Sequence, residues 1–448
     1  VTGPGPTADG PVDGPLDGAV HASPPDQGSP DQGAPDQGAP ELPLLVEPRE
    51  GIPEPLTTLE QLDGAIAALV AGSGPLAVDA ERASGYRYSQ RAYLIQLRRA
   101  GAGTFLIDPI ALPDLVPLGD ALRDVEWIIH AAVQDLPCLV PLGLRPDHLF
   151  DTELAGRLLG EERVALGTMI EKHLGVRLEK GHSAADWSTR PLPTSWLAYA
   201  ALDVELLIEL RDLLDAELTA QGKQDWAQQE FAAQLDAPAP APRQDPWRRT
   251  SGIHALRRPR QLAEVRALWQ ARDEVAAARD IAPGRVLPDS AIITAVRAHP
   301  ASEEALLALP VFGGRHQRRQ VRRWFGALAA ARALPDSELP RSSLPPSDGP
   351  PAASRWRERD PIAADRLAAV RSAIDGIVRE HSVQTQNVLA GDLVRRFAWE
   401  PPPATTEAVR TWLADNGARP WQVELVSPAL AAALVKAASA VPAPAEGA

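Results

Sequence analysis

The stretch Leu76-Ala77-Val78-Asp79-Ala80-Glu81-Arg82 constrains the fold more than any other, because it has the apolar density of a buried strand yet carries two carboxylates. In an extended segment residues i and i+2 point to the same side, so Asp79 and Glu81 aim at one spot. Desolvating an ionised carboxylate is costly, and the usual partners of buried acids are cations or metals. A metal ion above this strand is the resulting expectation. The plainer reading is a strand end that reaches solvent.

Later segments add acids of the same kind. Trp127-Ile128-Ile129-His130-Ala131 is short and apolar like a buried strand, and Gln134-Asp135-Leu136-Pro137-Cys138-Leu139 follows it as a helix. Asp135 therefore falls at the mouth of the sheet, where open α/β sheets bind ligands, although an aspartate at a helix start also answers the helix dipole. A long helix, capped by Thr194 and running to about Thr219, carries Tyr199 and Asp203 one turn apart on one face. Taken alone, that pair fits a core tyrosine beside an exposed acid. His130 has no second histidine at metal-site spacing and is expected in a core or supporting position. Cys138, among leucines, is expected as a small core residue. Four carboxylates converging on one point repel unless cations neutralise them, and oxygen-only ligation suits Mg²⁺ or Mn²⁺ better than Zn²⁺. Two such ions can clamp a phosphodiester between its attacking and departing oxygens.

The surroundings fit a sheet. Thr58 and Gln61 form a capping-box pattern ahead of a helical face of Leu62, Ile66, Leu69 and Val70. Tyr93 to Leu97 and Thr104 to Asp108 flank a Gly-Ala-Gly turn, an antiparallel hairpin pattern that places the first three strands side by side.

A chain of 448 residues exceeds what one core supports, so several domains are expected. The formal net charge of −14 argues at first against a nucleic-acid partner, but the charge is unevenly placed. Residues 1 to 50 hold nine acids against Arg49 alone, whereas residues 246 to 334 hold sixteen arginines against seven acids. An acidic tail with a basic middle is the asymmetry a nucleic-acid surface needs. No apolar run approaches the ~18 residues of a membrane span. One cysteine excludes an intramolecular disulfide, no secretory signal is recognisable at the start, and the cytoplasm is the default compartment.

In their order and spacing these motifs resemble those of the DEDD superfamily of 3'-5' exonucleases and, within it, the ribonuclease D family. Val78-Asp79-Ala80-Glu81 matches the first motif, His130 to Leu136 the second, and Tyr199-Ala200-Ala201-Leu202-Asp203 the third, in its Tyr-x-x-x-Asp form. Phe150-Asp151-Thr152 and Asp186 to Leu192 also resemble signatures of that family. The resemblance implies an α/β ribonuclease H-like 3'-5' exonuclease domain, a mixed sheet flanked by helices, followed by all-α HRDC-type helical bundles. It further implies two divalent metal ions, Mg²⁺ or Mn²⁺, held by Asp79, Glu81, Asp135 and Asp203. Tyr199 would orient the attacking water, and 5'-mononucleotides would leave from RNA, with tRNA precursor 3' ends as substrate and a monomer as the working unit. A DNA exonuclease and an inactive RNA-binding scaffold are the alternatives.

The expected organisation is a disordered tail over 1–50, an exonuclease domain over 51–236, a linker over 237–252, an HRDC domain over 253–334, a linker over 335–353 and a second HRDC-like domain over 354–440. In the first helical domain Arg315, Arg318, Arg319, Arg322 and Arg323 crowd beside Trp324, a cluster suited to phosphate contacts with a stacking surface. The alternative is a solvated helix face with Trp324 in the core. Trp399, Trp412 and Trp421 are expected in the core of the last domain.

Overall fold

A computed structural model describes residues 42–179, 181–238, 242–342 and 349–439. The chain opens with the short strands β1 (Leu44–Leu45) and β2 (Pro55–Leu56), followed by helix α1 (Leu59–Ala71). Thr58 and Gln61 close both halves of the capping box at the start of α1, satisfying two backbone donors that a helix start leaves unpaired. Strands β3 (Ser73–Arg82), β4 (Ala92–Ala100) and β5 (Gly103–Ile107) then form an antiparallel meander. Gly101 and Gly103 turn the β4–β5 hairpin at φ of 80° and 87°, a region that side chains avoid. After α2 (Val116–Ala121), the strand β6 (Glu126–Ile129), helix α3 (Ala132–Leu139) and strand β7 (His148–Asp151) complete the sheet. Its order is β2-β5-β4-β3-β6-β7, with β6 parallel to both β3 and β7, so the sheet is mixed.

Helices α4 (Thr152–Leu158) and α5 (Leu166–Leu174), strand β8 (Arg177–Leu178), and helices α6 (Thr194–Glu205), α7 (Leu207–Ala220) and α8 (Gln224–Asp236) cover this sheet. The single helix expected from Thr194 to Thr219 is two. Pro193 rather than Thr194 occupies the cap, and the chain leaves helical geometry at Leu206. The break lets α6 lie against β3, β4 and β5 while α7 packs on α4 and α5.

Residues 1–41 of the expected tail lie outside the described residues, as do parts of both expected linkers. Residues 42–50 correct the expectation of disorder: β1 pairs in parallel with β8, and Arg49 and Glu50 reach Glu209 and Arg98 at 3.0 and 3.2 Å. Arg98 also faces Glu205 at 3.5 Å, a glutamate with a fully buried side chain. That inward acid gives the segment a reason to dock.

Two helical regions follow. The first comprises α9 (Pro259–Arg279), α10 (Pro283–Val286), α11 (Asp289–Ala298), α12 (Glu303–Leu307) and α13 (Arg315–Ala333) around its own apolar cluster. Trp247, expected in the linker, is buried in that cluster, so the structured part begins before residue 253. The second region runs through α14 (Trp356–Arg359), α15 (Pro361–His381), α16 (Thr385–Val388), α17 (Gly391–Trp399), α18 (Thr406–Asp415) and α19 (Pro420–Ser439). Its apolar core is continuous with that of the α/β region. Trp421 stacks on Trp226 of α8 with ring centroids 4.5 Å apart and donates its Nε1–H to Glu230 at 2.9 Å.

Candidate active site

The face of β3 that carries Asp79 and Glu81 is roofed by α6. On that face Ala77 packs with Val204 and Leu207, and Leu94 of β4 packs with Leu197, Ala200 and Ala201. The roof brings Asp203 down to the strand. Carboxylate oxygens of Asp79, Glu81 and Asp203 all lie within 4.8 Å of one another. Asp135, in the first turn of α3, is buried, and its charge bears on Glu81 and Asp203. Three of the four expected acids thus form a tight group, with the fourth in electrostatic reach. Tyr199 sits one turn before Asp203, and the charge of that carboxylate bears on its hydroxyl.

Burial is the main force on these acids. It pushes Asp79 up to about 6, against the pull of the Ala80 amide and Arg82. Glu81, Asp135 and Asp203 are driven well above the ordinary carboxylate range by burial first and by one another's charges second. Tyr199 is raised above the usual phenol value by burial and by the neighbouring carboxylates, so it keeps its proton and acts as a donor. An all-oxygen set at this spacing, with repulsion that only cations relieve, fits a hard divalent ion.

The turn that delivers Asp135 is built by an acid of another kind. Ala131 stands in the left-handed region at φ 61°, unusual for a residue with a side chain. Asp151 holds it there, accepting from the amides of Ala131 and Ala132 at 3.0 and 2.9 Å while also capping α4 through Glu153 and Leu154. Gln234 donates to the same carboxylate at 2.9 Å. His130 contacts Thr152 Oγ1 through Nδ1 at 2.9 Å, and burial lowers it to about 4. It therefore stays neutral in a supporting position. Cys138 is buried and donates to the Asp135 carbonyl.

Sequence reasoning missed three residues here. Asp151 stands out in the sequence only as part of a family signature, and nothing local announces that one carboxylate serves two helix starts. Gln96 interrupts an apolar strand, a signal that was available; it lies opposite Asp79 in the β3–β4 ladder and is fully buried. Arg82 follows a register shift at the end of β3, and its charge bears on Asp79, Glu81 and Asp135.

Arg315, Arg318, Arg319, Arg322 and Arg323 are all exposed along α13. Trp324 is fully buried and donates Nε1–H to Gln317, which removes the expected stacking surface. The helical period explains the split: Val321, Trp324 and Leu328 share the inward stripe, and these five arginines occupy the rest.

Comparison with known proteins agrees with this arrangement. Residues 53–219 match the family described as 3'-5' exonuclease, residues 261–328 match the HRDC domain, and residues 349–434 match the 3' to 5' exonuclease C-terminal domain. A protein from Bifidobacterium adolescentis superposes with a TM-score of 0.81 at 39% identity, covering 88% of this chain and all of that one. Escherichia coli RNase D superposes with a TM-score of 0.61 at 26% identity, covering 86% of this chain and 99% of that one. Ribonuclease D of Gluconacetobacter diazotrophicus is 30% identical over 367 residues, which span 79% of this chain and 89% of the relative. Similarity along most of both chains, joined to an acid group roofed by α6 within the matching exonuclease segment, places this chain in the ribonuclease D family of 3'-5' exoribonucleases.

Proposed function

We propose that Asp79, Glu81, Asp135 and Asp203 hold two divalent ions, Mg²⁺ or Mn²⁺, and that this site removes 5'-mononucleotides from RNA 3' ends. The approach of three carboxylates to within 4.8 Å carries the reading. Bound divalent cations supply the Lewis-acid charge that the attacking and departing oxygens of a phosphodiester require. Asp79, Glu81 and Asp203 would hold the cations from the tight group, with Asp135 contributing from the start of α3. Tyr199, protonated beside Asp203, is a donor that orients the attacking water. Arg82, half-buried with its charge on Asp79, Glu81 and Asp135, is proposed to meet the scissile phosphate, which an arginine recognises well.

RNA is the proposed partner, with tRNA precursor 3' ends as the substrate class, the cytoplasm as the compartment and a monomer as the working unit. The Escherichia coli relative is an exoribonuclease involved in structured RNA processing, which supports that choice. The exposed arginines Arg315, Arg318, Arg319, Arg322 and Arg323 are proposed to bind RNA phosphates beyond the active site. Among the described residues no helix is long and apolar enough to cross a membrane.

A 3'-labelled RNA and its DNA counterpart, incubated with Mg²⁺ and then with chelator, test the proposal. Mononucleotide release from RNA that stops on chelation is the expected result. Preferential release from DNA would transfer the site to DNA, and no release from either would leave a binding scaffold.

A further inference from the structure

The loop between Glu81 and β4 is held on two sides. Toward the first helical region, the Ser89 amide donates to Asp280 Oδ1 at 2.8 Å and the Tyr93 hydroxyl donates to Asp280 Oδ2 at 3.3 Å. The Tyr86 carbonyl accepts from the Ala282 amide at 2.9 Å, and the Arg285 guanidinium lies 3.9 Å over the Tyr86 ring. Tyr88 packs against the apolar cluster of that helical region and donates to Asp273 at 3.1 Å. Toward the exonuclease site, Arg87 Nε donates to Ser188 Oγ at 2.7 Å, and Ser188 adjoins Trp187. Trp187 is fully buried, with its ring centroid 6.4 Å from that of Tyr199.

We infer that Asp280 of the HRDC region is a positioning residue for the exonuclease reaction, fixing the loop after Glu81 and, through Arg87 and Trp187, the wall behind Tyr199. The inference rests on the exonuclease reading given above. Both oxygens of Asp280 are used, one on the loop backbone and one on β4, so a single carboxylate sets the distance between two segments that flank the site. A misplacement of the reacting groups by about 1 Å costs up to about a hundredfold in rate, so a small slackening here has a measurable effect on turnover. The HRDC region then does more than grip RNA, because its helix end completes the frame of a neighbouring active site.

Asp280 occupies the left-handed region at φ 47°, as the cap of α9. Glycine and asparagine both adopt that conformation readily, so Asp280→Gly removes the carboxylate without backbone strain and Asp280→Asn keeps one acceptor oxygen. Turnover of a 3'-labelled single-stranded RNA by the full-length chain gives the first readout. Amide hydrogen exchange over residues 83–91 gives the second. Asp280→Gly is expected to lower kcat about tenfold with KM within about twofold, and Asp280→Asn to recover most of the loss. Exchange at Ser89 should quicken in Asp280→Gly. Unchanged kcat in Asp280→Gly, or a change confined to KM in both variants, would overturn the inference. An inactive wild-type chain would instead sink the nuclease reading, and protection of Ser89 that persists in Asp280→Gly would still refute the role given to Asp280.

Discussion

Two strongly charged regions of this molecule are solvated in opposite ways. The acids of the exonuclease site lie under α6 with Arg82 as the cation whose charge reaches most of them, whereas Arg315, Arg318, Arg319, Arg322 and Arg323 of α13 lie open to water. In the first region Asp79, Glu81 and Asp203 are half-buried and Asp135 buried, so their mutual repulsion is poorly screened and a divalent cation relieves it. In the second, water screens each charge and contacts are additive and weak. Similar numbers of charges thus give an all-or-none centre in one place and a graded surface in the other.

Removing one member should therefore have very different effects in the two regions. Asp79→Asn is expected to lower kcat more than about a thousandfold while leaving the fold and RNA affinity nearly intact, since several kcal/mol of charge stabilisation go with a shared metal ligand. Turnover within about tenfold of wild type would show that the buried group is not cooperative. Replacing Arg318, Arg319 and Arg322 together by Ala should weaken RNA binding about tenfold and flatten its salt slope by about two, with kcat at saturating RNA preserved. Fluorescence anisotropy across a salt series measures this, and an unaltered slope would return α13 to an ordinary solvated face.

The smallest effect separates the two regions by pH. Asp79 is raised in the folded chain, so between its unfolded value and about 6 the folded state binds more protons than the unfolded one. Stability contributed by this group therefore falls as pH rises through that window and stays low above it. In chelator, Asp79→Asn should melt a few degrees above wild type at pH 7.5 and level with it near pH 4, and Mg²⁺ should reverse the order at pH 7.5. Equal melting temperatures at both pH values would mean that burying the ionised Asp79 carries no uncompensated cost.

Much of the α/β region was legible because its signals are local and periodic. The alternation of β3, the capping box at Thr58 and the glycine turn between β4 and β5 each name their structure within a few residues. The group of Asp79, Glu81 and Asp203 was reached by combining motifs, since nothing within β3 specifies which helix covers it. Features that depend on tertiary partners stayed hidden. The order of residues 42–50 depends on the distant Glu205, and the break at Leu206 on what α6 and α7 each bury. Trp324 could not be assigned to core or surface from the arginines around it until the inward stripe of α13 was known. The continuity of the second helical region with the α/β core includes a Trp226–Trp421 pair separated by nearly two hundred residues, beyond any local pattern.

The central claim is that acids distant in sequence form one divalent-ion site. Calorimetric titration of Mn²⁺ into the metal-stripped full chain, beside Asp79→Asn and Asp203→Asn, tests it without recourse to activity. The account predicts saturable binding to wild type that is weakened at least about tenfold in both variants. Superimposable isotherms for all three proteins would contradict it.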